Sequence, residues 1–255
     1  MRQPKPLTLS RRSFLRRASL AAATLGTTYG VGSYVALPVA IQIGLKLLGE
    51  YNVPRYTKNE DGLPADPINV GLIGTLDQLR SAFDIIGWTE ADALGFSSSV
   101  GMIQSVLFGT AYHKAPFSSL YLFGRSQDIG FQRAITKSPH KRHHVRFWGL
   151  NLDQFENEPD EASFWHSVNP FSDEEQLLWI GAATRDIGLS LTRMTYKVTH
   201  ATDANTLAER DLIMFKLQDK KLIGDVVIYN QPGELPARPL NHYVFDGAIA
   251  IARLL

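Results

Sequence analysis

The 255-residue chain has no cysteine. That absence excludes disulfide staples, thiolate zinc sites and cysteine nucleophiles. Net charge is also nearly absent, at +1, but the sum hides an asymmetry. Residues 1–17 hold Arg2, Lys5, Arg11, Arg12, Arg16 and Arg17 and no acid, so the remainder has 20 basic against 25 acidic residues, or −5. A mildly acidic body lacks the basic face a nucleic-acid binder needs, so no nucleic-acid partner is expected. No P-loop, dinucleotide fingerprint, nucleophile elbow or H-E-x-x-H run occurs. No cofactor is therefore implied, and no metal site of defined spacing. Internal repeats and low-complexity segments are missing too.

What is present begins with an address. Ser10-Arg11-Arg12-Ser13-Phe14-Leu15-Arg16 matches the twin-arginine export pattern S-R-R-x-F-L-K/R, and no charged residue follows from Ala18 to Leu45. Spanning a bilayer takes about 20 apolar residues. Residues 1–50 are therefore expected to be a transmembrane or signal helix, with an uncleaved anchor favoured because no clean A-x-A site precedes a polar start. Cleavage would instead release a secreted, soluble body. The six positive charges hold the N-terminus in the cytoplasm, so the body is expected on the extracytoplasmic, periplasmic side. Residues 51–67, rich in proline and polar side chains, read as a linker. Residues 68–255 form one domain.

The domain opens with a short strand, Ile68 to Ile73. Thr75 and Gln78 have capping-box spacing, and Leu76, Leu79, Phe83 and Ile86 make one apolar stripe that Gly87 ends. Trp88-Thr89 is expected to start a second helical stretch, and Ser98 to Phe108 a third. Strands then dominate: Leu120 to Phe123, His143 to Leu150, Val226 to Tyr229, and an apolar element from Phe245 to Leu254. Asn151 to Pro170 reads as a loop. Helices and strands are segregated, which predicts an α+β fold with a mainly antiparallel sheet and helices packed on it.

The organising stretch is Trp179 to Leu217. Its pattern predicts a hairpin, with Trp179 to Arg185 as one strand, a turn at Asp186-Ile187-Gly188, and Leu189 to His200 as an alternating, half-buried strand. Thr206 and Glu209 have capping-box spacing, and Ala208, Leu212 and Phe215 form the expected inward stripe of the next helix. This gathers His200, Asp203, Glu209, Arg210 and Asp211 at a strand-to-helix junction. Histidine beside carboxylates suits general acid–base work or a divalent metal, but the spacing fits no defined metal motif. A core histidine bonded to a capping carboxylate is the structural alternative.

The second constellation is Lys137-Ser138-Pro139-His140-Lys141-Arg142-His143-His144-Val145-Arg146. Alternation puts His144, Arg146 and Trp148 on one face of a strand, opposite His143, Val145 and Phe147. An arginine there needs an acidic partner or an anionic ligand, and its planar fork suits carboxylate or phosphate. The structural alternative is an ion pair with Asp186 or Asp203. Ser138 and Ser97 to Ser99 lack the surroundings of a nucleophile.

Several strings resemble the LssY C-terminal domain family of bacterial proteins. They are DPINVGLIGT, SSLYLFGRSQDIGFQ, HKRHHVRFWGL, WIGAATRDIG, TH followed by AERD, and the late FDG. The resemblance covers roughly Asp66 to Leu254. It departs at Ala201, where the family has a second histidine, and at Phe245-Asp246-Gly247-Ala248, where the family motif reads like T-D-G-E. The resemblance implies membrane association. Larger relatives join the domain to membrane segments like DedA or lipid-phosphatase proteins, and the first described member is linked to a secretion locus. It brings no established activity.

Two functions follow as expectations. In the first, the domain binds, with hydrolysis as a further step, a phosphorylated, lipid-like ligand. Arg125, Arg142 and Arg146, with His144 on the same strand, hold the anion, and His200 is the acid or base, oriented by Asp203 or Asp186. In the second, it is a non-catalytic cell-envelope module that docks a membrane-protein partner. A metal-dependent hydrolase is a third and weaker reading.

Overall fold

The computed structural model describes residues 11–37, 55–91, 118–136, 141–152, 174–191, 196, 198–231 and 243–255. The expected helix over 98–108, residues Ser97 to Ser99, Ser138 and His140, most of the 151–170 loop, and the start of the linker lie outside these.

The N-terminal helix α1 runs Arg11–Val31 and continues as a π-type turn over Gly32–Ala36. No helix among the described residues is long and apolar enough to cross a membrane, so the expected transmembrane helix is not supported. The reason is local. The first two turns of α1 carry Arg11, Arg12, Arg16 and Arg17, and threonines and glycines dilute the rest.

A four-stranded sheet combines β1 (Tyr56–Lys58), β2 (Pro64–Pro67), β5 (Tyr121–Leu122) and β6 (Arg125–Ser126) in the order β2-β1-β5-β6. The larger sheet uses β3 (Val70–Gly74), β4 (Thr89–Glu90), β7 (Ile129–Ala134), β8 (Arg142–Asn151), β9 (Leu177–Leu191), β10 (Val198–Thr202), β11 (Val227–Asn230) and β12 (Ala248–Arg253). Its order is β11-β12-β3-β9-β8-β7-β4, with β10 added beside β9. All named pairings are antiparallel except β12 with β3. The α+β expectation with a mainly antiparallel sheet holds, and the one parallel pair makes the sheet mixed.

Helix α2 (Leu76–Ile85) has the capping box the spacing predicts. Thr75 accepts from the Gln78 amide, and the Gln78 side chain accepts from the Thr75 amide. Gly87 ends it at φ +76°, a conformation glycine adopts without steric cost. Trp88 does not start a helix: it packs edge-on to Phe83, and Thr89–Glu90 form β4 along β7.

The predicted hairpin is corrected. Asp186-Ile187-Gly188 is not a turn, because β9 runs straight through it for 15 residues. Its first half lies between β3 and β8, and its second half pairs with β10. Gly188 lies within the strand opposite Ala201, and the chain makes only a register shift at Ile187, not a reversal. Helix α3 (Thr206–Asp219) is capped by Asn205, whose side chain accepts from the Ala208 amide; Thr206 is its first residue, not its cap. Its inward face is Glu209, Arg210, Ile213, Met214 and Leu217, while Phe215 is exposed and Ala208 faces out. The buried stripe lies one to two positions later than Ala208, Leu212 and Phe215, and the helix starts one residue earlier than a Thr206 cap implies.

The large sheet is apolar on both faces. One face packs Val145, Phe147 and Trp179 against α2 and α3. The other packs Trp148, Leu150, Leu178 and Ile180 against Ile68, Leu120 and Leu122.

Candidate functional site

Strand β8 crosses the middle of the sheet with burial along nearly its whole length. Its even residues share the second face. Following them from Leu150 and Trp148 toward the start of the strand, apolar packing gives way to Arg146, His144 and Arg142. The neighbouring strand changes in step, from Leu178, Ile180 and Ala182 to Thr184 and Asp186. Cross-strand register makes the match direct, with His144 opposite Thr184 and Arg142 opposite Asp186. Gln132 of β7 lies opposite His144 on the other side.

These side chains close into a buried network. Arg142 donates through Nε to Asp186 Oδ2 at 3.1 Å and through Nη1 to Gln132 at 2.8 Å. Arg146 donates to Asp66 Oδ2 at 2.9 Å, reaching down to β2. Tyr243 donates its hydroxyl to Asp66 Oδ1 at 2.7 Å. The Thr184 hydroxyl lies 3.2 Å from Asp66 Oδ2 and 2.8 Å from His144 Nε2. A carboxylate only accepts, so the hydroxyl spends its one proton on Asp66 and accepts from His144. Nε2 of His144 therefore carries a proton, and Nδ1 faces Asp186 at 3.5 Å.

The electrostatics follow. Burial alone would raise the Asp66 pKa, but the His144 hydrogen bond, the charges of Arg146 and His144 and the Tyr243 hydroxyl outweigh it and hold it at about 2. The same burial, then the Asp66 charge, push the Tyr243 hydroxyl well above its usual range. Burial also lowers Arg142, against the pull of Asp186. Carboxylate and phenol, bonded to each other, are driven in opposite directions. Both shifts fix the pair as an ionised carboxylate accepting from a neutral phenol.

Odd residues of β8 face the helices. His143 points its Nδ1 at both oxygens of Glu209 of α3, each at 2.9 Å, and its ring lies 6.0 Å from that of Trp88. Arg210, next on α3, binds Asp246 at 2.9 Å and Asp211 at 3.0 Å. Burial opposes the charge of Arg210, but these carboxylates outweigh it and raise its pKa. The AERD and FDG strings are thus two halves of one clasp.

The expected site residues divide. Arg142, His144, Arg146 and Asp186 come together. Arg125 does not join them: it binds Asp128 and the Gly149 carbonyl, three residues farther along β8 than Arg146. Asp203 pairs with the exposed Arg185 and accepts from the Asn205 amide, so it does not accompany Asp186. His200 lies half-buried in β10 opposite Leu189. The crowd at the strand-to-helix junction disperses, with Asp203, Glu209 and Arg210 each bound to a different partner. No three His, Asp or Glu side chains among the described residues are placed to hold a metal ion.

Asp66, Thr184, Gln132 and Tyr243 were missed. Asp66 had a signal, since it opens the DPINVGLIGT string. Gln132 and Thr184 had the same signal, lying in SSLYLFGRSQDIGFQ and WIGAATRDIG, but only the register of β7, β8 and β9 shows that they meet. Tyr243 had none, because it reaches Asp66 from 177 residues away.

A model of the LssY C-terminus matches residues 50–247. The chain belongs to the LssY C-terminus family. The matched span contains both strand faces described above and every member of the buried network. No curated protein and no solved structure matches the chain. In this LssY C-terminus domain the strings that carry the family likeness are those that build the network: Asp66 from the first, Arg142, His144 and Arg146 from the third, and Thr184 and Asp186 from the fourth.

Proposed function

We propose that this LssY C-terminus domain binds a phosphorylated, lipid-like ligand at the polar end of the β8–β9 face. One observation carries the reading: two arginines, two aspartates and a histidine are buried where the same face elsewhere packs tryptophan and aliphatic side chains. Buried ion pairs are weak contributors to stability, and apolar replacements of similar volume are often neutral or better. Stability alone does not call for this end to be ionic. Asp66 and Asp186 fix the two guanidinium groups in orientation for an anion. His144, with its Nε2 proton shared through Thr184, is the group that would move a proton if hydrolysis follows binding. His200 is then a neighbour rather than the base. The Ser10 to Arg16 pattern supports a reading in which the domain is exported and works on the extracytoplasmic side.

The test is calorimetric titration of the full chain with inorganic phosphate and a short-chain phosphatidic acid, beside Asp66→Leu/Arg146→Met. That double variant removes both charges together and is expected to remain folded by circular dichroism. Tenfold or greater loss of affinity in a folded variant is expected. Unchanged affinity at the same fold content overturns the reading.

A docking module is the second reading, favoured by Ile187, Leu189 and Leu191. They alternate along the outer half of β9 and are 47%, 57% and 53% exposed. It assigns the ridge to a membrane-protein partner and the buried network to structure. Saturable phosphate binding that depends on Arg146 would exclude it.

A further inference from the structure

On the helix-facing side of the sheet, His143 is flanked on both sides by arginine. Cross-strand register puts it directly opposite Arg133 of β7 and directly opposite Arg185 of β9. Directly opposed side chains in a sheet have Cβ atoms about 5 Å apart, and like charges placed so repel. Arg133 and Arg185 are exposed, as is Lys141 two residues before His143. Behind the row, Glu209 receives the Nδ1 proton of His143, and its own side chain is 4% exposed against 18% for the histidine. A carboxylate that holds Nδ1–H fixes the ring and turns Nε2 away from itself. The acids near the row are accounted for: Glu209 holds His143, Asp203 holds Arg185, and Glu90, opposite Phe131 on β4, holds Arg80.

We propose that Arg133, His143 and Arg185 form a second, solvent-facing site for a phosphate monoester, with Glu209 as the residue that positions His143. The two arginines supply planar donors on either side, and Nε2 of His143 supplies a third contact between them. Ile187, two residues beyond Arg185 on β9, begins the exposed apolar ridge, so an acyl chain on the phosphate has apolar surface beside it. This site lies on the opposite side of β8 from the buried network and does not depend on it.

The experiment is NMR of the full chain labelled with ¹⁵N-histidine, titrated with inorganic phosphate and, separately, with short-chain phosphatidic acid below its micelle concentration. His143 and His144 report the two faces independently. The ring signals of His143 are expected to shift and saturate. Arg133→Gln/Arg185→Gln, both at exposed positions, is expected to weaken that binding tenfold or more with the melting temperature unchanged. Equal affinity for both probes identifies the phosphate group alone as the ligand. Tighter binding of the lipid, lost in Leu189→Ser/Leu191→Ser, identifies a lipid headgroup. A His143 signal that does not move, or an arginine variant within twofold of the parent, overturns the proposal. Movement of His143 without His144 upholds this site and counts only against the buried one.

Discussion

His143 and His144 are neighbours in sequence and point to opposite sides of the sheet. His143 is clasped by Glu209 of α3, and His144 by Thr184 of β9. The strand between them separates a partly exposed histidine at the rim of the helix layer from a buried one at the centre of an ionic network. Two adjacent imidazoles therefore serve two environments, and substitutions of them are not interchangeable.

The pairing of Arg146 with Asp66 sets the first expectation. Asp66→Asn alone leaves a buried guanidinium without its countercharge and is expected to cost about 3–5 kcal/mol. Asp66→Leu/Arg146→Met, which removes both charges, is expected to lie within about 1–2 kcal/mol of the parent. Urea denaturation of the single and double variants measures both. A single variant as stable as the double would show that the pair is not electrostatically coupled.

Acid stability follows from the same carboxylate. Its folded pKa, about 2, lies below the unfolded value, so the carboxylate binds its proton more weakly in the native state. The stabilisation is fully present above the unfolded pKa of about 4 and is lost as pH falls through about 2; in size it is about 2 kcal/mol. Denaturation midpoints measured from pH 6 to pH 2 should show this decline. In the Asp66→Leu/Arg146→Met variant the decline should be shallower.

Gly181 sits directly across from Phe147 in the β8–β9 pair, and an added Cβ would lie 2.5 Å from that ring. Gly181→Ala is expected to destabilise by about 1–3 kcal/mol through overpacking. Trimming the ring in Gly181→Ala/Phe147→Leu should return part of that loss relative to Phe147→Leu alone. A thermal-melt double-mutant cycle showing simple additivity would contradict the contact.

The clasp between Arg210 and Asp246 joins α3 to the chain leading into β12. Asp246→Ala removes charge-assisted bonds to a buried arginine and the acceptor for the Ala248 amide, and is expected to cost about 1.5–3 kcal/mol. Asn205→Ala, which removes the α3 cap, should cost about 1 kcal/mol. Thr206→Ala keeps that cap but removes the hydroxyl's bond to the Val244 carbonyl, so amide exchange at Ala208 is the readout: protection lost in Thr206→Ala and kept in Asn205→Ala would reverse the assignment.

Much of this fold was legible because it is local. The capping box at Thr75 and Gln78 needs only residues three apart, and the two faces of β8 need only the period of a strand. The split of His143 from His144 was likewise visible in alternation alone. The acidic partner demanded by an arginine in a strand was also foreseeable, though for Arg146 the candidates were Asp186 and Asp203 and the partner is Asp66, 80 residues earlier. What the sequence alone determined was the kind of chemistry: no thiol, no nucleotide loop, and charged side chains placed where a strand must bury them. Tertiary structure decided which charges meet. β9 runs straight through a stretch that reads as a turn, because β8 and β10 hold its backbone on successive segments and pairing outweighs the local preference of Asp-Ile-Gly. That extension sets the register that places Asp186 against Arg142 and Thr184 against His144. It also leaves Asp203 to pair with Arg185 on the opposite side. Register is a property of paired strands, so no single strand's pattern contains it.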